Sequence, residues 1–152
     1  MTADRLGMTV LDTHDCLALL RTTEVGRLAT NGDYPEVLPV NFVVADGGVL
    51  FRTADGTKLA ALTADDRVAF EADGSDLAAG TAWSVLIKGH AAVVRTPHGR
   101  VAALDLPLFP WQVAPKHHFV RISPVEITGR RFTIADTTAA RRRRVPAPSA
   151  HE

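Results

Sequence analysis

Two tight-turn signals, Asn31-Gly32-Asp33 and Asp46-Gly47-Gly48, bracket one apolar run, Glu36 to Val44 (EVLPVNFVV). Asn, Asp and Gly tolerate the positive φ angles of short hairpin turns, so the chain must fold back on itself at both ends of this run. The neighbouring runs are strand-like too. Val25 to Thr30 (VGRLAT) precedes the first turn, and Val49 to Thr53 (VLFRT) follows the second. Three consecutive antiparallel strands are therefore expected. Further on, Arg67 to Ala72 alternates apolar and polar residues, and Trp83 to Val94 reads as a long strand. His118 to Ile122 and Val125 to Ile134 read as two more. The apolar parity shifts between Ile127 and Phe132, which predicts a bulge near Gly129. About seven strands with frequent glycine turns, and no G-x-G-x-x-G or P-loop, predict an antiparallel barrel rather than a parallel βαβ sheet.

Short helices punctuate the strands. Asp12 or Thr13 can cap a helix over His14 to Arg21, with Cys16, Leu19 and Leu20 at helical spacing. Thr57 opens a second helix, and Thr96-Pro97 opens a third that runs through Leu104. Asp73 to Ala82 and the proline-rich Leu106 to Lys116 are expected loops. Glu36 to Val44 is apolar nearly throughout, which predicts burial on both faces. Pro39 removes one ladder donor and so suits an edge, a bulge or a ligand-facing stretch. Gly89, inside the long strand, points to a bend or the close approach of another backbone.

Composition narrows the functional classes. The 152 residues are 46 % hydrophobic and 22 % charged, the balance of a soluble globular domain. No apolar run is long enough to span a bilayer. Met1 to Arg5 lacks the charged-then-apolar order of an export signal, so the cytoplasm is the expected compartment. Cys16 is the only cysteine, which excludes an intrachain disulfide and a cysteine-based metal site. The net charge is zero, but Arg141 to Arg144 supply four of the 17 basic residues in an Ala/Pro/Ser-rich end. Without residues 141–152 the charge is about −3, so a nucleic-acid partner is not expected from bulk charge. Residues 1–135 are expected to form one domain and residues 136–152 an Arg/Ala/Pro-rich tail that is disordered or loosely packed.

The stretch that asks for chemistry is Val49 to Leu62, VLFRTADGTKLAAL. A strand ends, a small turn follows, and a helix begins, with Arg52, Thr53, Gly56, Thr57 and Lys58 gathered at the junction. A helix start presents unpaired N–H groups and the positive end of its dipole. Lys58 adds a charge, Gly56 lets a ligand approach the backbone, and Arg52 can offer a bidentate fork to phosphate oxygens. Two readings stand: an anion site, or a capped surface corner with incidental charges. Arg52 and Thr53 point to opposite faces of their strand, which weakens the first.

Other residues are weighed in the same way. Trp83 is either core or a wall of a ligand site. Trp111 packs an interface or covers a pocket. His117-His118 is a poor metal pair, because adjacent strand residues face opposite ways and no third ligand is evident; one imidazole near a cofactor would serve as a proton donor. No metal site is expected. His90 is read as structural and Cys16 as a small buried hydrophobe.

The order VGRLAT, PEVLPVNFVVADGGVLFRTADGTKLAAL, VAFEADGSD, WSVLIKGHA and FVRISPVEITGRR resembles the FMN-binding split-barrel superfamily. It is most similar to the actinobacterial pyridoxamine 5′-phosphate oxidase-like group, which is related to nitroimidazole-resistance proteins. The resemblance runs from about Leu11 to Arg131. It implies a mainly β fold, a six-stranded antiparallel split β-barrel with small helices. It further implies a homodimer with FMN in clefts between subunits. By this resemblance Thr57 and Lys58 hold the FMN phosphate, and Arg52 and Thr53 contact phosphate and ribityl. The backbone of Leu38, Pro39, Val40 and Asn41 runs along the flavin ring. Trp83 and Ser84 approach a flavin from the partner subunit. The Arg and His pair that holds substrate in true pyridoxamine phosphate oxidases has no counterpart after Gly129. The implied function is therefore a flavin-dependent oxidoreductase acting on an unidentified small molecule by hydride or electron transfer. The alternatives are a deazaflavin-dependent or nitro/quinone reductase, and a non-catalytic flavin-binding module.

Overall fold

The computed structural model describes residues 7–54, 56–95 and 118–134. The expected helix from Thr96, the loop carrying Trp111, His117 and the tail from residue 136 lie outside them. The elements are β1 (Met8–Leu11), α1 (Thr13–Leu20), β2 (Val25–Thr30), β3 (Glu36–Ala45), β4 (Gly48–Thr53), α2 (Thr57–Ala64), β5 (Arg67–Asp76), β6 (Thr81–Val93) and β7 (His118–Thr133). Every pairing between them is antiparallel. The strand order is β1-β7-β4-β3-β2-β5-β6, and a further β7–β6 ladder closes the ring. The expected six-stranded barrel is thus formed by β2 to β7, and β1 is added outside β7. Closure removes most of the exposed strand edge that an open sheet would leave.

The local causes follow the sequence. Asp46 and Gly47, both at positive φ, make the tight turn between β3 and β4. Asp12 caps α1, its side chain accepting from the Asp15 backbone N–H at 2.8 Å. Alternate residues of each strand fill the barrel. Phe42 and Phe70 meet edge-to-face at 4.8 Å among Leu28, Val49, Phe51, Val85, Ile87 and Ile122. Each large side chain of this set contributes roughly 1.5–3 kcal/mol by leaving water. Cys16 and Leu20 of α1 and Leu62 of α2 are buried in the same cluster.

Four expectations need correction. Asp73 to Asp76 is not a loop: β5 continues, and residues 73–76 pair with Ser84, Trp83, Ala82 and Thr81. The hairpin ladder outweighs their poor strand propensity. His118 to Thr133 is one strand of 16 residues rather than two. The irregularity lies at Lys88/Gly89, opposite Glu126 and Pro124, not at Gly129. Gly89 sits where a β-carbon would lie 2.2 Å from the Ser123 carbonyl oxygen, which is the close backbone approach its position suggested. Glu36 to Ala45 is buried on one face only; Val40 and Phe42 point inward while Val37 is 63 % exposed. Met8 to Leu11, where residues 1–10 carried no clear pattern, pairs with Gly129 to Phe132.

Candidate functional site

The barrel splits beside the junction that the sequence singled out. β3 pairs with β2 along Glu36 to Asn41, but its ladder with β4 covers only Phe42 to Ala45 among the described residues. Phe42 and Phe51 form the last β3–β4 pair, and beyond it the two strands part. Among the described residues, Leu38 to Asn41 therefore have a neighbouring strand on one side only. Pro39 fits this arrangement. The Phe42 N–H donates to the Glu24 carbonyl at 3.0 Å, so by strand parity the nitrogen of Pro39 points away from β2. The missing donor falls on the open side and interrupts no ladder bond.

β4 ends at Thr53 where this gap opens, and α2 begins four residues later. The N-cap of α2 is Gly56, with φ 151° and no side-chain cap, in contrast to Asp12 on α1. Among the described residues a β-carbon on Gly56 would meet nothing within 4 Å, so none of them fills the space beside the N-cap. No acidic residue lies in the first turn, where Thr57 and half-buried Lys58 follow. A helix start without a side-chain cap, with a cation and no acid in its first turn, favours an anion.

Arg52 and Thr53 divide between faces, as strand geometry requires. Arg52 stands on the outer face, its guanidinium 5.1 Å over the ring of Phe119, its direct partner across the β4–β7 ladder. Such a contact is worth about 0.5–2 kcal/mol and fixes the direction of the charge. Its Nε and the Nδ2 of Asn41 are both shut off from solvent. Thr53 is buried, and its hydroxyl donates to the Ala54 carbonyl at 3.2 Å. Pro39, Asn41 and Ser84 share the outer face with Arg52, whereas Leu38, Val40 and Trp83 point toward the interior. Trp83 is 8 % exposed and belongs to the main core, with its indole against Gly74. Within one chain β2 and β5 stand between Trp83-Ser84 and the β3 edge. Asn41 and Arg52 lie just beyond the last β3–β4 pair, so the β3 edge starts beside the end of β4, whereas Trp83 and Ser84 lie on β6 with two strands between.

Sequence reading missed the charged cluster on the outer face next to Pro39. Arg27, the cross-strand partner of Pro39, donates to Glu71 at 2.9 Å and reaches Asp73 at 2.8 Å. Burial pushes the Glu71 carboxyl up, against the pull of the Arg27 hydrogen bond; the same bond raises the Arg27 guanidinium. Alternation put Arg27 and Glu71 at polar positions of their strands, but Asp73 was expected in a loop, and nothing local showed that β2 and β5 are neighbours. His90, expected to be structural, is half-exposed and contacts Asp66 at 3.0 Å through Nδ1. His118 is half-buried at the start of β7. Among the described residues, the ligand atoms of Asp12, His14 and Asp15 lie within 4.8 Å of one another. Asp12 is occupied in capping α1.

A family model described as pyridoxamine 5′-phosphate oxidase matches residues 12–131. The uncharacterized protein Rv0080 of Mycobacterium tuberculosis is 34 % identical over 133 residues, covering 84 % of this chain and 86 % of its own. A Corynebacterium glutamicum structure with the provisional description pyridoxamine 5′-phosphate oxidase is 34 % identical. Its TM-score is 0.75, over 86 % of this chain and 97 % of that one. The structure of the FAD binding protein from Mycobacterium smegmatis is 39 % identical with a TM-score of 0.72, over 83 % and 99 % of the two chains.

Proposed function

The chain belongs to the pyridoxamine 5′-phosphate oxidase family, and from that premise we propose that it binds FMN and acts as an oxidoreductase on a small molecule. The observation that carries this reading is the start of α2, which has no side-chain cap, has none of the described residues filling the space beside Gly56, and is set where β3 and β4 part. The donor set fits a phosphate-bearing flavin. The first N–H groups of α2, Thr57 and Lys58 would hold the phosphate, with Arg52 directed by Phe119. The backbone of Leu38 to Asn41, lacking a β4 partner, would run along the ring. Thr53, being buried, would support the junction. Trp83 and Ser84 would come from a second copy of the chain, in a homodimer.

When bound, the flavin supplies hydride or electron transfer. The chain's own residues bind, orient and shield: Lys58 and Arg52 balance phosphate charge, and the β3 edge sets ring direction. The cytoplasm is the compartment we assign, in keeping with a single cysteine that needs no oxidising environment. The similarity to an FAD binding protein supports a second reading, in which the same phosphate site takes the dinucleotide.

The test is a visible absorbance spectrum of the purified protein before and after soaking with FMN and desalting, with chromatography of any released cofactor. A retained flavin spectrum that elutes as FMN is expected. Release of FAD would select the second reading. A protein that stays colourless after soaking would overturn both, and uptake of a deazaflavin would then support the deazaflavin-dependent alternative.

A further inference from the structure

A trough of about 400 Å³ lies on the outer face of the barrel, and its lining shares no residue with the β3 edge or the α2 start. The volume is within the range of small-molecule sites. Ala29 and Ala69 are direct partners across the β2–β5 ladder, and their small side chains make its floor. Lys88 is the next partner of Ala69 along the same row. Arg67 and His90 face each other across the β5–β6 ladder one step away. Val125, 74 % exposed where the β6–β7 register shifts, stands beside them as an apolar wall.

Among the described residues no carboxylate lines the trough, although two cations do. The acids that balance them are residues outside its lining. Asp65 takes the Nε and Nη2 of Arg67, at 3.0 and 2.9 Å. Glu126 approaches Lys88 only to 3.8 Å. Asp66 accepts from the Nδ1–H of His90 at 3.0 Å, so the trough's donors to a carboxylate are Arg67 and Lys88 rather than this ring. An apolar floor and wall, with the Nη1 of Arg67 and the loosely paired Lys88 ammonium able to donate on one side, is complementary to a flat apolar body that ends in a carboxylate.

We propose that this trough is a second ligand site, distinct from the flavin site, for an aromatic carboxylate. The ring lies on Ala29 and Ala69 against Val125, and the carboxylate takes donors from Arg67 and Lys88. The test uses 2-naphthoate as the probe and its amide, 2-naphthamide, as the uncharged control, with binding to the full chain followed by fluorescence. Wild-type protein should bind the acid and not the amide. Arg67→Gln and Lys88→Gln should each weaken binding roughly tenfold, the lower end for a charge-assisted contact, because both side chains are largely exposed. Ala69→Leu fills the floor from the outer face and should abolish binding while leaving flavin uptake unchanged. Equal binding of acid and amide, or acid binding that survives Ala69→Leu, would overturn the proposal. So would a protein that binds no 2-naphthoate and whose oligomeric state changes in Ala69→Leu, because the trough would then be a contact between copies.

Discussion

Lys58 and Asp65 are the two side chains at which single-residue electrostatics makes the sharpest statement. Lys58 follows an N-cap that supplies no side-chain acceptor and sits in a first turn without an acid, and in the proposed site its charge would act on the flavin phosphate. Lys58→Ala should weaken FMN binding by roughly 1.5–3 kcal/mol, the worth of a hydrogen bond to a charged group. Titration of the variant with FMN checks this, and unchanged affinity would remove Lys58 from the site. At Asp65, the hydrogen bonds from Arg67 hold the carboxyl at about 2, below its ordinary 3.8. A depressed carboxylate pKa stabilises the fold fully above the unfolded value, and that stabilisation is lost as pH falls through the folded one. Asp65→Asn should therefore flatten the stability-against-pH curve between about pH 4 and pH 2, with a small amplitude because the pair is exposed. Urea unfolding at stepped pH reads this directly. A wild-type curve already flat in that window would mean the ion pair does not form in solution.

Elements add constraints that no single side chain carries. α1 is short, and its start is tied down by one bond from the Asp15 N–H to Asp12. Asp12→Ala should cost about 1 kcal/mol, measured as a lower urea midpoint at constant slope. β6 and β7 cross so closely at Gly89 that any β-carbon there would overlap the Ser123 carbonyl. Gly89→Ala should therefore cost roughly 1–3 kcal/mol, because overpacking against backbone relaxes poorly. A variant as stable as the parent would mean that β7 moves away from β6 at the bulge with little penalty. The same elements show how pairing overrides local preference. Asp73, Gly74, Ser75 and Asp76 are poor strand formers, yet they complete β5 because β6 lies opposite each of them.

At the scale of the whole molecule, β3 and β6 stand on opposite sides of the ring, so the outward-facing Pro39 and Asn41 do not meet the outward-facing Ser84 within one barrel. If these residues all serve the flavin, two chains must contribute. Light scattering on a size-exclusion column should then give twice the chain mass for the flavin-loaded protein, and a flavin-retaining monomer would refute the shared site. Much of this molecule was legible in its sequence. The turns at Asp46-Gly47, the capped α1, the strand pattern, and the gathering of Arg52, Gly56, Thr57 and Lys58 at one junction are all local, set by φ preferences, capping and side-chain alternation over a few residues. What only the tertiary structure decided is non-local. It brought Arg27 to Glu71 and Asp73, placed Phe119 under Arg52, set the bulge at Lys88/Gly89, and parted β3 from β4 beyond Phe42 and Phe51. The physical reason is that a strand carries its own face and turn preferences in its residues, whereas the identity of its neighbours and the point at which a ladder stops are settled only when the barrel closes.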